Sequence, residues 1–258
     1  MKRFLIIPSL LTLIVSSTAV WCCAPDDYSF YIKVDSGVSC STSTNICAPY
    51  PPWNPAFEGY NAALGNAPIA GFSVGCELWD IMDLEVNIAS RSTFKYRKFQ
   101  TPTTGGSAYT RTFDLSVTSI LFSTNILGLG FPCLNWDVWC GKLYPLLGVG
   151  LGASNLLITN YRTVGLAPTG DSTPYKSFSA ENQYTLRRNF TYTILIGLEY
   201  NHDARWAVGT GYRWFDAGHF NGPQYQRIAD GSAVDVACDT WKMRFGAHEW
   251  FIEFKILI

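Results

Sequence analysis

Apolar and polar residues alternate with a period of two through much of the chain, and the pattern recurs in about eight segments. It is plainest in the last nine residues, where Trp250, Ile252, Phe254, Ile256 and Ile258 are apolar and Glu253 and Lys255 sit between them. Successive side chains of a β-strand point to opposite faces, so this stretch carries one greasy and one ionic face. Upstream, Phe30, Ile32 and Val34 stand against Lys33 and Asp35, and Phe72, Val74, Cys76 and Leu78 against Ser73 and Glu77. Leu84, Val86 and Ile88 oppose Glu85 and Asn87; Phe113, Leu115 and Val117 oppose Asp114, Ser116 and Thr118. Leu147, Val149 and Leu151 alternate with glycines, Phe190 to Leu198 with Thr191, Thr193 and Glu199, and Trp206 to Trp214 with small residues and Arg213.

In the last segment the apolar beat runs Met243, Phe245, Ala247 and then shifts to Trp250. A one-residue slip exchanges the two faces of a strand, so a bulge or irregularity is expected between Gly246 and Glu249. The links after the second and sixth segments are short, and those after the first, third, fifth and seventh are longer. The link Ser123 to Lys142 departs from this alternation, being long, aromatic and cysteine-flanked where a short turn is expected.

The pattern predicts an all-β protein: an antiparallel up-and-down transmembrane barrel of about eight strands. A soluble lipocalin-like barrel shows the same period with its apolar side inward, and periodicity alone does not tell in from out. The opposing face helps, because Gly, Ser, Thr, Glu and Arg suit a narrow polar interior. Glu77, Glu85, Glu199, Arg213, Glu253 and Lys255 are the candidate lumen charges. An unpaired charge in so narrow a space is costly, so pairing such as Glu199 with Arg213 is expected. Trp21, Tyr28, Trp79, Trp206, Trp214, Trp241 and Trp250 fall near segment ends, where amphipathic rings suit a headgroup region.

The N-terminus reads as a secretory signal over residues 1–19, with basic Lys2 and Arg3, an apolar run from Phe4 to Val15, and small residues at Ser17 and Ala19. Residues 20–258 then form the barrel domain. An uncleaved anchor helix, or acylation at Cys22 or Cys23, are the alternatives. After this segment no apolar run approaches a membrane helix; Leu143 to Leu151 is interrupted by Pro145, Gly148 and Gly150.

A formal net charge of −1 with 15% charged residues gives no footprint for nucleic acid. Eight cysteines in an exported chain favour an oxidising compartment. Cys40 with Cys47, and Cys133 with Cys140, each flank a short polar loop and are candidate disulfides. Neither pair has the spacing or neighbouring histidine of a metal site. The other cysteines are available to cross-link envelope proteins. No phosphate loop, dinucleotide fingerprint or metal motif occurs, so no cofactor is expected. His202, His219 and His248 lie in turn, loop and strand positions; a triple such as Ser179, His219 and Asp216 has no spacing to favour it, and no enzyme is expected.

Tyr144 to Gly152 (YPLLGVGLG), Gly211 to Asp216 (GYRWFD) and the terminal alternating strand together resemble the OmpA-like, opacity-type family of outer-membrane barrels. The family ends on Phe where this chain has Ile258. The resemblance implies residence in the outer membrane of a Gram-negative cell, contact with its lipid, and a terminal strand (Trp250, Ile252, Phe254, Ile256, Ile258) read by the barrel-assembly machinery. The cysteine content is similar to that of the disulfide cross-linked envelopes of chlamydia-like bacteria. A structural or adhesin-like surface role is expected, with the loops Cys40 to Pro68 and Thr163 to Tyr184 open to host surface ligands. A narrow porin and a soluble lipid-binding barrel are the alternatives.

Overall fold

The computed structural model describes residues 28–42, 57–58, 64–79, 81–102, 109–131, 134–166, 174–179, 185–202, 205–222, 225–228, 235–237 and 242–258. The alternating segments become eight long strands: β1 (Tyr28–Ser41), β2 (Asn66–Leu78), β3 (Met82–Pro102), β4 (Tyr109–Leu127), β5 (Gly141–Leu166), β6 (Thr185–His202), β7 (Trp206–Asn221) and β8 (Lys242–Leu257). Each pairs antiparallel with its neighbours in sequence. The sheet closes where β1 meets β8, from Tyr31 opposite Leu257 to Ser41 opposite Ala247. Closure matters because hydrocarbon offers no hydrogen bonds to an open strand edge. Among the described residues no helix is long and apolar enough to cross a membrane.

The faces are inside out relative to a water-soluble barrel. Phe30, Val34, Phe72, Phe122, Ile194, Ile196, Trp250 and Ile252 are exposed, whereas Lys33, Asp35, Glu85, Glu253 and Lys255 are buried in the interior. Exposed apolar area costs about 25 cal/mol per Å² in water, so this exterior is stable only against lipid. The chain is a transmembrane β-barrel.

The arrangement reverses towards the loop end of the barrel. On β8 the inward residues Lys255, Glu253 and Glu249 give way to Ala247, Phe245 and Met243, while the outward ones change from Ile252 and Trp250 to Arg244 and Lys242. On β4 the inward Asn125, Ser123 and Ser119 are followed by Val117, Leu115 and Phe113. On β3, inward Asp83, Glu85 and Asn87 give way to Phe94 and Tyr96, with Lys95 and Arg97 exposed outside. These upper inward residues form one apolar cluster with Tyr161, Phe215 and Phe220. Here the barrel has a dry core and a wet surface, as a protein in water does. Strand length agrees: the 26 residues of β5 span about 65 Å along the axis at a tilt of ~40°, against an apolar band of ~25 Å. The wall therefore continues as a stem beyond the membrane. Short strands extend it further, with Pro174–Ser179 pairing with the end of β5, Tyr225–Ile228 with that strand, and Asp235–Ala237 with Tyr225–Ile228.

This reversal corrects several expectations. No slip occurs in β8 between Gly246 and Glu249, where pairing with β1 is continuous from Ala247 through Leu257. The chemistry of the interior changes there, not the direction of the side chains. The irregularity lies on the facing strand, between Asp216 and Gly218 of β7. Phe113, Leu115 and Val117 face inward, and Ile120, Phe122 and Ile126 carry the outer face of β4. The link after the third segment is short, because β3 runs to Pro102 and β4 begins at Tyr109. Much of Ser123 to Lys142 is structured: β4 ends at Leu127, Gly128–Gly130 form a 3-10 turn, and Trp136–Val138 pair with Gly141–Leu143 as a hairpin. Residues 1–27, with the expected signal segment and Trp21, lie outside the described residues, as does Trp241.

Candidate functional site

The lower barrel interior is an ionic network set by alternation: every second residue of β1, β2, β3, β6, β7 and β8 points inward, and the small ones leave room for the long ones. A Cβ on Gly209, for instance, would stand 2.6 Å from the Glu253 carboxylate. At the turn end, Lys255 Nζ lies 3.1 Å from Glu77, 3.1 Å from Asp83 and 2.9 Å from Glu199. A second tier centres on Lys33, which lies opposite Lys255 in the β1–β8 pairing; its Nζ bridges Glu85 at 2.6 Å and Glu253 at 3.1 Å. The Tyr31 hydroxyl donates to Glu85 at 3.0 Å.

The third tier closes the bore. Glu249 receives Arg91 through both carboxylate oxygens, Nη2 at 3.0 Å and Nε closer still, and Arg213 Nε at 2.7 Å. Ser39 Oγ donates to it at 3.0 Å. Arg91 also donates to Ser119 Oγ at 3.0 Å, and its guanidinium lies 3.4 Å from the Phe215 ring centroid. Arg91, Glu249, Ser119 and Phe215 are all 0% exposed. This tier is where the polar lumen meets the apolar core of the stem. Below it, a pocket of about 10 Å³ lined by Lys33, Asp35, Asn87, Arg213 and Glu253 has room for on the order of one water.

The six residues singled out from the sequence, Glu77, Glu85, Glu199, Arg213, Glu253 and Lys255, are buried in this interior. The expected Glu199–Arg213 pair is not made: Glu199 serves Lys255 and Arg213 serves Glu249. The reason is height, since Arg213 lies opposite Leu195 on β6, while Glu199 lies opposite Gly209. Lys33, Asp35, Asp83, Arg91 and Glu249 complete the network. Lys33 and Asp35 were legible on the ionic face of their segment; Arg91 was hidden in the polar run Ser90 to Thr93, where no apolar beat marks a face, and Glu249 sits where the apolar beat of its segment changes phase.

Elsewhere, Asp216 is held by Arg244 at 2.6 Å and by the Gly218 N–H at 2.8 Å, so its carboxylate is engaged away from His219. His248 is on the outer surface, bonded to the Tyr212 hydroxyl and edge-on to Trp214. His202 stacks beside Trp206 at the turn end. Cys40 is half-buried and Cys140 exposed; their expected partners Cys47 and Cys133 lie outside the described residues.

No protein-family model matches the chain, and no curated protein matches it in sequence. Among solved structures it is similar to the outer membrane protein OprG from Pseudomonas aeruginosa, at 11% identity over 90% of this chain and 97% of that one, with a TM-score of 0.48. It is similar to Neisserial surface protein A at 13% identity, over 90% and 99% of the two chains, with a TM-score of 0.43. The attachment invasion locus protein Ail of Yersinia pestis, solved with the heparin analogue sucrose octasulfate, aligns at 11% identity over 88% and 99%, with a TM-score of 0.34.

Proposed function

We propose that this chain is a bacterial outer-membrane protein whose barrel is a closed pedestal and whose work is surface interaction, carried by the stem and the segments above it. The observation behind this reading is the Arg91–Glu249–Arg213 tier. A pore needs a wetted path through the bore. Here fully buried ionic groups fill the bore, and an apolar core sits directly on top of them. The long strands β3, β4 and β5 meanwhile carry polar surface, including Lys95, Arg97 and Asp114, away from the bilayer.

On this reading residues 1–19 direct export, the strand from Trp250 to Ile258 is the segment recognised during assembly, and Cys40–Cys47 and Cys133–Cys140 are disulfides. The role is adhesin-like and not enzymatic. Refolded protein in planar bilayers is expected to give no unit conductance; discrete, reproducible channels would replace this reading with a narrow porin. In cell envelopes the protein is expected in the outer-membrane fraction, with gel mobility that shifts on boiling. Release without detergent would overturn the membrane assignment.

A further inference from the structure

The interior of the barrel is short of positive charge. Among the described residues, the turn-end tier sets Lys255 against Glu77, Asp83 and Glu199, and the next sets Lys33 against Glu85 and Glu253. Only the third balances, with Arg91 and Arg213 against Glu249 and, at 3.6 Å, Asp35. All of these groups are buried. An uncompensated charge in such a place is costly and calls for a partner.

The cavity below the third tier is where that partner fits. Its wall carries the carboxylates of Asp35, Glu85 and Glu253 and the cations Lys33 and Arg213, an excess of one negative charge. Two side-chain oxygens of the wall accept no hydrogen bond, Oδ2 of Asp35 and Oδ1 of Asn87, on residues 5% and 3% exposed. Asn87 Nδ2 donates to Asp35 Oδ1 at 3.2 Å and to Ser73 Oγ at 2.8 Å, which fixes the amide with its oxygen turned away from both. Arg213 Nη2, the unpartnered donor of the same wall, lies 3.6 Å from Asp35 Oδ2, beyond hydrogen-bond reach. Its Nε is already held by Glu249 at 2.7 Å. Ser123 and Thr193 add hydroxyls to the lining.

We propose that this cavity binds one monovalent metal cation of the Na+ class, held by Asp35 and Asn87. Oxygen donors suit a hard cation, a volume of about 10 Å³ takes one ion stripped of its water shell, and the excess charge of the wall matches a single positive charge. A divalent ion asks for more: among the described residues no three His, Cys, Asp or Glu side chains are grouped closely enough to hold a metal ion between them. Asp35 is on β1 and Asn87 on β3, strands separated by β2, so the ion ties together parts of the wall that do not pair. The site goes beyond the surface role and is independent of it.

Full-length protein refolded into phosphatidylcholine vesicles provides the test, with sodium chloride replaced stepwise by choline chloride at fixed ionic strength; the choline cation is too large for the cavity. A ligand bound only by the folded state lowers the unfolding constant about tenfold for each tenfold rise in its concentration above Kd. That slope against Na+ is expected in urea unfolding of the wild type. It is expected to vanish in Asp35→Asn and to persist in Glu77→Gln, an interior carboxylate away from the cavity wall. Equal unfolding in sodium and choline, or a response to pH alone, would overturn the site and leave the charge to protons. Loss of the slope in both variants would overturn it in favour of a diffuse lumen charge. If Asp35→Asn does not refold, elemental analysis of the wild type decides: one sodium retained per chain after exchange into choline supports the site, and none overturns it.

Discussion

Glu249 binds two buried guanidiniums at the boundary between lumen and stem, Arg91 and Arg213, the second of which also lies 3.6 Å from Asp35. Glu249→Ala leaves Arg91 without its carboxylate partner and Arg213 with only Asp35, at 3.6 Å. Removing one member of a buried ion pair costs about 3–5 kcal/mol, and that loss is expected in urea unfolding of the protein refolded into vesicles. Glu77→Gln is expected to cost under ~2 kcal/mol, because Lys255 keeps Asp83 and Glu199. Equal effects would argue against a graded network. The contrast could not be drawn from the sequence. Glu77 stands on a clean alternating face, whereas Glu249 follows Ala247 and His248 and precedes Trp250, so its facing becomes clear only in register with Ser39 and Arg213.

Within a strand, the reversal of apolar and polar faces marks where the bilayer ends. Position along the strand, more than exposure, should then decide what a substitution does. Ile196, at the middle of the apolar stretch of β6, is 60% exposed, yet Ile196→Arg is expected to cost about 2–4 kcal/mol near the bilayer midplane. Ser116→Arg, outward on the part of β4 that lines the stem, is expected to be nearly neutral. Unfolding of both variants in the same vesicles checks the boundary, and two equal losses would remove the stem from the water. The alternation itself was fully legible in the sequence. Its meaning on the upper strands was not, since a dry-inside segment and a lipid-outside segment have the same period and differ only in phase.

For the molecule as a whole, the closed wall and the filled bore point the same way: stability is invested in a rigid support. A barrel of ~8 strands has an interior just wide enough for side chains to fill, and this one fills it with salt bridges below and aromatic rings above. Conductance and boiling-dependent mobility test the sealing and the closure respectively.

Period-two alternation repeated about eight times determined, without coordinates, that the chain makes an antiparallel barrel with one apolar and one polar face per segment, because a strand has only two faces to offer. It also put six charges, Glu77, Glu85, Glu199, Arg213, Glu253 and Lys255, on the polar face of their segments. Which face turned outward, where that choice reversed, and which carboxylate met which cation were decided only by tertiary structure. Those outcomes depend on the relative heights of strands far apart in sequence: Arg91 meets Glu249 across 158 residues, and no local pattern records that distance.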